Sequence, residues 1–393
     1  MKTYIRRGVI FILICAVLFA LPVGAESAEK ETETIAGEAT SLDLPCRAAI
    51  LMDAATGTVL YEQNADEPLP PASVTKVMTL LLVIEAVDSG KIALTDSVSV
   101  SAHAASMGGS QVYLKEGETM PVEEMIKCVV IASANDCAVA LAEFVAGSEE
   151  AFVAAMNARA AELGMKNTHF ENTNGLDDTV ENHLISARDI AIMSRALIAH
   201  PKIFEYSGIW MDSIRDGAFG LTNTNRLVRF YRGCTGLKTG STSRAKFCIT
   251  ATAERDGVSL IAVVMAADTR DIRNATAAKL LDYGFAGFET YKSEGATRVA
   301  PLTGGTKRTI PVSFASFAAT VKKGEGAKIV QEVRIKEDLS APIAAGDTVG
   351  ETVYLLNGEE IGRVPITAEE SVEKIGFLTL FRRMLASFFL LSA

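Results

Sequence analysis

The sequence predicts an α+β first domain, with helices packed on an antiparallel sheet, then a small all-β domain and a C-terminal amphipathic helix. Apolar runs of strand length lie near residue 50 and near residue 255, and long helical patterns fill the chain between them. From about residue 293 short strand-like runs replace helical periods, and the tail becomes helical again. Early and late strands can pair into one sheet that carries the helices on its faces.

The N-terminus is predicted to carry an export signal at residues 1–25. Three cations precede the apolar run Val9–Leu21, and Val23-Gly24-Ala25 supplies the small residues of a cleavage site. Residues 26–44 are polar and rich in Glu, Thr and Ser, which predicts a flexible leader. We therefore expect an exported protein.

Charge and cysteine content exclude several classes of function. The chain has 393 residues and a net charge of −10, and no basic patch is interleaved with aromatic residues, which argues against a nucleic-acid partner. No His-Glu-x-x-His or Cys-x-x-Cys grouping occurs, so we expect no metal and no cofactor. The five cysteines beyond the signal are too widely spaced for a disulfide framework, and pairing of Cys234 with Cys248 stays open.

The first domain is predicted to span residues 45–290. It opens with a hairpin around Ala54-Ala55-Thr56-Gly57, and Pro70-Pro71 then introduces a long apolar helix. Asp256-Gly257 marks a second hairpin between two late strands. The other predicted elements are helices at Met120–Ile131, Asp136–Val145, Glu149–Leu163, Ser186–Ala199 and Ala275–Tyr283, and strands at Ala48–Asp53, Thr58–Tyr61, Lys246–Glu254 and Val258–Ala266.

A second domain, residues 291–370, is predicted to be all-β, and a tail, residues 371–393, is predicted to be an amphipathic helix. Asn357-Gly358 is a strong hairpin signal within the second domain. The longest charge-free stretch of the tail, Met384–Ala393, is too short to cross a bilayer. A helix that lies in the membrane surface fits this pattern, and docking on the protein body is the alternative. The apolar face contains Phe377, Leu378, Leu380, Phe381, Met384, Leu385, Phe388 and Phe389.

A hydroxyl and an amine, in Ser73 and Lys76, lie three residues apart at the start of the apolar helix. Residues i and i+3 are neighbours on a helix, so the two side chains can meet. A serine hydroxyl needs an adjacent base to act as a nucleophile, and lysine can be that base if burial and a second cation lower its pKa. These two residues are therefore a candidate nucleophile and base.

The Ser-x-x-Lys spacing occurs four times in this chain, so it carries little weight alone. Its copy at Ser73 gains weight from two later motifs in a fixed order, Ser133-Ala134-Asn135 and Lys238-Thr239-Gly240, of which the last occurs only once. This ordered triplet is typical of class A β-lactamases and penicillin-binding proteins.

With these motifs, a β domain and an amphipathic tail, the chain resembles the D-alanyl-D-alanine carboxypeptidases, which are low-molecular-mass penicillin-binding proteins. Phe170-x-Asn172-x-x-Gly175-Leu176 and Met265–Phe285 extend the resemblance, which covers the chain from about Pro45 onward. It implies a β-lactamase/transpeptidase-like catalytic domain at the outer face of the cytoplasmic membrane. The implied reaction removes the terminal D-alanine from peptidoglycan stem peptides that end in D-Ala-D-Ala, and β-lactams are the implied inhibitors.

The resemblance also assigns roles to single residues. Ser73 would attack the carbonyl, Lys76 would accept its proton, and Ser133 would relay a proton to the departing D-alanine. The substrate-binding residues would be Asn135 for the amide, Lys238 as the second cation, Thr239 and Arg273 for the terminal carboxylate, and Ser241, whose backbone N–H would complete an oxyanion hole with that of Ser73.

Two other functions compete with this one. A β-lactamase shares the acylation apparatus, although it needs neither a β domain nor a membrane tail. A penicillin sensor or wall-binding scaffold would be acylated without releasing a product. Glu171 lies where a β-lactamase would keep a deacylating Glu, but its surroundings favour a loop residue, and His169 and His183 are interpreted as structural.

Overall fold

The computed structural model describes residues 42–388, so the predicted signal peptide and the leader up to residue 41 lie outside the described residues. In the first part of the chain the elements are β1 (Ala48–Asp53), β2 (Val59–Gln63), α1 (Lys76–Asp88), β3 (Ser97–Ser99), α2 (Ala102–Ala105), β4 (Thr119–Pro121), α3 (Val122–Lys127), α4 (Asn135–Ala146), α5 (Glu149–Glu162), β5 (Thr168–His169), β6 (Leu184–Ile185), α6 (Ala187–Ile198), α7 (Phe204–Ser207), β7 (Met211–Ile214), β8 (Phe219–Thr222), α8 (Leu227–Phe230), β9 (Cys234–Thr242), β10 (Lys246–Arg255), β11 (Val258–Ala267) and α9 (Arg270–Gly287).

One antiparallel sheet joins the two ends of this domain, as the sequence predicts. Its strand order is β2-β1-β11-β10-β9, so the early hairpin pairs directly with the late strands. Asp256 and Gly257 adopt φ of 51° and 79°, the backbone of a two-residue hairpin turn between β10 and β11. Strand β9 lies at the edge of the sheet, and its other neighbour is the turn that precedes α1.

The apolar helix α1 is the centre of the larger hydrophobic core. It packs against α4 and α6, and its buried residues lie on every side of the helix, which is the pattern of a helix inside a domain. Helix α9 covers the opposite face of the sheet, where a second core contains Ile249, Leu260, Leu280 and Leu281. The sheet therefore lies between two helical layers, and the predicted α+β class is confirmed.

The remaining elements are β12 (Phe288–Ser293), β13 (Ala296–Pro301), β14 (Thr309–Phe314), β15 (Phe317–Lys322), β16 (Ile329–Ile335), β17 (Thr348–Leu356), β18 (Glu359–Ala368) and α10 (Phe377–Phe388). Five of these strands form a sheet in the order β13-β14-β18-β17-β16, and β12 pairs with β15 in a ribbon. The sequence does not predict β12 or β15, because short strands that contain Ala, Lys and Glu carry a weak strand signal. The hydroxyls of Thr56 and Thr320 are hydrogen-bonded to each other, and the Thr290 hydroxyl donates to the Asp53 carboxylate. These two contacts connect the ribbon to the β1–β2 turn.

Within the predicted tail, residues 371–393, a helix forms over Phe377–Phe388 with its apolar face outward, and Phe389 with the residues after it lies outside the described residues. Phe377 and Met384 are 83% and 63% exposed, and Leu378, Leu380, Phe381 and Leu385 are exposed as well. On the polar side Arg383 donates to the carbonyls of Gly305 and Thr306, which ties α10 to the β domain. No helix among residues 42–388 has the length and apolar character needed to cross a membrane.

Candidate active site

Ser73 lies in a 3₁₀ turn, Ala72–Thr75, and α1 begins only at Lys76. The sequence predicts that Ser73 opens the α-helix itself. Ala72, the first residue of this turn, has a φ of +48°, which lies outside the right-handed helical region, so the α-helix does not extend back to it. The i, i+3 relation survives this change, and Lys76 Nζ lies 2.9 Å from Ser73 Oγ.

Lys76 is fully buried and has two oxygen partners besides Ser73. Its Nζ lies 2.6 Å from Asn135 Oδ1 and 2.7 Å from the carbonyl oxygen of Asn174. Burial lowers the pKa of Lys76 well below its ordinary value and the nearby Lys238 cation lowers it further, while Asp136 opposes both effects. A neutral amine has two N–H donors and one lone pair. The ammonium form of Lys76 donates to all three oxygens, and in the neutral form, with both donors on Asn135 and Asn174, the lone pair faces the Ser73 hydroxyl.

Ser133 and Lys238 form the second pair of the site. A π-helical segment, Cys128–Ala132, ends at Ser133, which adopts φ of +63°. Lys238 Nζ donates to Ser133 Oγ at 2.8 Å and to the carbonyl of Thr239 at 3.0 Å. Lys238 is 1% exposed, and burial together with the positive charge of Arg273 lowers its pKa to about 7. Two lysines of depressed pKa therefore lie beside two serine hydroxyls.

Asn135 is the first residue of α4, and its orientation is fixed from three sides. Its N–H donates to Ser110 O, its Nδ2 donates to Gly108 O, and its Oδ1 accepts from Lys76. The next residue, the buried Asp136, accepts from three backbone N–H groups, two of which belong to the segment that follows Ser110. Asp136 thus anchors the loop that orients Asn135.

Strand β9 passes directly against the turn that carries Ser73. A methyl group built on Gly240 would lie 2.7 Å from Pro71 O and 2.9 Å from Ser73 N, so a side chain at this position has no room. The backbone of β9 just before Ser241 therefore reaches the N–H of Ser73. The strand that carries Ser241 is thereby brought beside the backbone N–H of Ser73.

Arg273 belongs to α9, and Thr239 of β9 pairs with Ile249, which lies in the core that α9 covers. Arg273 is 2% exposed and donates to Asn274 Oδ1, and it forms no ion pair with any residue of the described chain. Burial and the neighbouring Arg270 lower its pKa to about 10, so it remains a cation at neutral pH. The Thr239 hydroxyl donates to Thr224 Oγ1 at 2.8 Å. A buried cation without an acidic partner is available to bind an anionic group of a ligand.

Two groups outside the predicted site residues contact this site, and one of them, His183, is predicted from the sequence to be structural. The carbonyl of Asn174 contacts Lys76, and the buried His183 contacts Thr75 Oγ1 at 2.7 Å. The motif Phe170-x-Asn172-x-x-Gly175-Leu176 was the available signal, although it did not indicate which atom of the loop would take part. Glu171 is a loop residue as predicted, and its carboxylate accepts from the N–H of Asn182.

Gly175 permits the close contact between this loop and the Ser73 turn. Its φ is +83°, and an added Cβ would lie 1.9 Å from Ala72 O and 2.8 Å from Thr75 Oγ1. We expect Gly175→Ala to lower the free energy of unfolding by about 3 kcal/mol or more, since left-handed strain adds to a backbone clash. Urea unfolding measures the loss. The control is Gly90→Ala, with similar φ and open space around it, for which about 1 kcal/mol is expected; equal losses would contradict the clash.

The described residues contain neither a cluster of metal-ligating side chains nor a disulfide. Among residues 42–388 no cluster of His, Cys, Asp and Glu could hold a metal ion. The five cysteines of this range are free thiols, including Cys234 and Cys248. In the β9–β10 ladder Cys248 lies opposite Gly240, and Cys234 lies opposite Ala253. The two cysteines therefore lie toward opposite ends of this ladder.

Comparison with known proteins places this geometry in a family. Residues 33–269 match the Peptidase S11 profile, D-alanyl-D-alanine carboxypeptidase, and residues 288–374 match the C-terminal domain of penicillin-binding protein 5. The D-alanyl-D-alanine carboxypeptidase DacF of Bacillus subtilis is 43% identical over 378 residues, which are 94% of this chain and 95% of that protein. DacC of Escherichia coli is 36% identical, over 92% of this chain and 91% of its own.

Solved structures agree with this assignment. Penicillin-binding protein 5 of Haemophilus influenzae superposes with a TM-score of 0.76 at 31% identity, over 85% of this chain and 99% of its own. Penicillin-binding protein D2 of Listeria monocytogenes, solved in an ampicillin-bound form, has a TM-score of 0.57 at 33% identity, over 62% of this chain and 99% of its own. The chain therefore belongs to the D-alanyl-D-alanine carboxypeptidase family, Peptidase S11.

Proposed function

We propose that this enzyme removes the terminal D-alanine from peptidoglycan pentapeptides through an acyl-enzyme on Ser73. The observation that carries the proposal is the environment of Lys76. Lys76 Nζ lies within hydrogen-bond distance of Ser73 Oγ and of two carbonyl oxygens, and when the amine is neutral those two oxygens take both of its donors and its lone pair accepts the proton of Ser73. A serine beside an amine of depressed pKa is an activated nucleophile.

Acylation follows from the positions of these groups. Ser73 Oγ attacks the carbonyl carbon of the penultimate D-alanine while Lys76 takes the hydroxyl proton. The N–H groups of Ser73 and Ser241 stabilise the oxyanion that forms. The C–N bond then breaks, and Ser133, held by Lys238, passes its own proton to the departing amine and takes up in exchange the proton that Lys76 had accepted, so Ser133 and Lys76 both return to their neutral forms. Free D-alanine leaves, and an ester links Ser73 to the shortened peptide.

Different residues bind the substrate on the two sides of the scissile peptide bond. Asn135 binds the amide of the acyl side, and Thr239 with Arg273 binds the carboxylate of the leaving D-alanine. Water then hydrolyses the ester and restores the Ser73 hydroxyl. A β-lactam presents a similar amide and carboxylate, but its ring opens without releasing a separate leaving group, so its acyl-enzyme persists.

Incubation of the purified enzyme with a pentapeptide ending in D-Ala-D-Ala tests the proposal. We expect release of one D-alanine per peptide, measured by amino-acid analysis, together with a long-lived covalent adduct with benzylpenicillin. Labelling without D-alanine release would indicate a penicillin sensor or scaffold. Rapid turnover of benzylpenicillin without D-alanine release would indicate a β-lactamase.

The proposed substrate is extracytoplasmic, which agrees with the role of the family in the cell wall. We further propose that residues 45–290 form the catalytic domain and residues 291–370 a β domain without catalytic groups. The tail at 371–393 would hold the enzyme at the outer face of the cytoplasmic membrane after export. The exposed apolar face of α10 supports this placement, since its polar side is occupied by the β domain.

Vesicle binding tests the role of the tail. We expect the mature enzyme to cosediment with phosphatidylglycerol-containing vesicles, and the double variant Phe381→Asp/Leu385→Asp to stay in the supernatant, because charge on the apolar face opposes insertion. Thr379→Asp, which adds a charge on the opposite face, is the matched control. Equal cosedimentation of all three proteins would exclude α10 as the attachment site.

A further inference from the structure

His183 lies outside the proposed reaction, yet it is buried beside the catalytic lysine. It is 3% exposed, and its ring packs edge-on against Phe170 at 5.8 Å between centroids. It follows the loop that begins at Glu171 and supplies the Asn174 carbonyl to Lys76. Both of its ring nitrogens have partners, one on this loop and one on the Ser73 turn.

The partners of His183 determine its tautomer. The backbone N–H of Glu171 donates to Nδ1 at 3.0 Å, so Nδ1 carries no proton. Nε2 of the neutral ring therefore bears the hydrogen and donates it to Thr75 Oγ1 at 2.7 Å. Thr75 in turn donates its own hydroxyl proton to Ala72 O at 2.9 Å. Burial, with His169 and Lys76 nearby, lowers the pKa of His183 to about 4, which keeps this arrangement at neutral pH.

This chain of hydrogen bonds joins the Ser73 turn to the loop after Glu171, and the proposed reaction requires these two segments to hold a fixed position relative to each other. Thr75 lies between Ser73 and Lys76 in sequence, and its carbonyl partner Ala72 touches Gly175 of the loop. Thr79, one helical turn after Thr75, donates to Thr173 O at 2.6 Å. The Asn174 carbonyl therefore reaches Lys76 only when the loop is docked on both the turn and the helix.

We propose that His183 is a positioning residue that joins the Glu171–Gly175 loop to the Ser73 turn through Thr75, and so holds Lys76 with its lone pair toward Ser73. This inference rests on the proposed function. His183 has no position in the bond-making steps, and its effect is transmitted by Thr75 and the loop. The contact that matters is the one between Nε2–H and Thr75.

Two variants separate the two nitrogens of the ring. His183→Asn places an oxygen near the position of Nδ1 and removes the Nε2 donor, whereas His183→Gln places an N–H group near the position of Nε2. We expect His183→Asn to lower kcat for D-alanine release on the order of 10²-fold, because small misplacements of catalytic groups have effects of this size. KM should be unchanged, and His183→Gln should retain most of the wild-type kcat.

Thr75→Val removes the acceptor from the other side and should lower kcat to a similar extent. The double variant Thr75→Val/His183→Asn should be no slower than the slower single variant, because both changes remove the same contact. All rates are divided by the amount of enzyme that fluorescent penicillin labels at saturation, so loss of folded protein does not enter kcat. Thermal unfolding of each variant is recorded in parallel.

The outcomes separate positioning from simple structural support. A structural role would lower the unfolding temperature of both His183 variants and leave kcat per labelled enzyme at the wild-type value, which would overturn the proposal. Equal losses of kcat in His183→Asn and His183→Gln would also overturn it. If neither variant folds, Thr75→Val decides, and a wild-type kcat in that variant rejects the inference. Absence of D-alanine release by the wild-type enzyme would instead reject the proposed function, and this inference with it.

Discussion

Replacement of Ser73 by alanine is expected to lower the rate of D-alanine release on the order of 10⁴- to 10⁶-fold, the scale of loss when a serine nucleophile is removed. Covalent labelling by penicillin should disappear in the same variant. The reason is that no other hydroxyl among the described residues lies within hydrogen-bond distance of Lys76 Nζ. Labelling with fluorescent penicillin, followed by peptide mapping, measures both the loss and the position of the adduct.

The fold should survive this substitution, because Ser73 is half-buried and its hydroxyl contacts only Lys76. The control is Ser371→Ala. Ser371 begins another copy of the Ser-x-x-Lys spacing and accepts one exposed hydrogen bond from the N–H of Ala345. It should keep wild-type labelling and D-alanine release. An adduct mapped to any serine other than Ser73 would contradict the assignment.

Replacement of Lys76 by methionine is expected to lower kcat/KM for acylation by about 10²- to 10⁴-fold, the usual contribution of a general base. Methionine has an unbranched chain of similar length and no proton acceptor of comparable strength. Stopped-flow acylation with a chromogenic β-lactam measures the change. Lys374→Met, at the lysine of the Ser371 spacing, is the matched control and should acylate at the wild-type rate.

The pH dependence of the wild-type enzyme provides a second measurement of the same group. Only the neutral amine of Lys76 accepts a proton, so kcat/KM should rise as pH increases through the lowered pKa of Lys76. Above the pKa of Lys238, about 7, loss of its proton removes the cation beside Ser133, and kcat/KM should fall. The profile is therefore bell-shaped.

Lys238→Met connects the two limbs of this profile. Without the Lys238 cation the pKa of Lys76 rises, so the acidic limb should move to higher pH while the alkaline limb disappears. An acidic limb that stays in place in this variant would show that Lys238 does not influence the Lys76 amine. A profile that persists in Lys76→Met would contradict the role of Lys76 as the base.

Patterns that are local in the chain were sufficient for much of this structure. The hairpins at Asp256-Gly257 and Asn357-Gly358 formed as predicted, because two-residue turns with positive φ select these residues. The apolar helix α1 was evident from its unbroken run of buried residue types. Ordered short motifs predict that Ser73, Lys76, Ser133, Asn135 and Lys238 lie together, and the hydrogen bonds of the folded chain connect them in two groups.

The sequence by itself thus determined the fold class and the family resemblance, and its motifs selected the side chains that we propose carry the chemistry. Tertiary structure alone decided that a backbone carbonyl, that of Asn174, completes the Lys76 environment, and that His183 joins the loop to the Ser73 turn. Every residue has a backbone carbonyl, so the residue type does not indicate which carbonyl will contact Lys76. The residue type of a buried histidine does not reveal whether its role is structural or positioning. Only its two hydrogen-bond partners, which are distant in sequence, distinguish these roles.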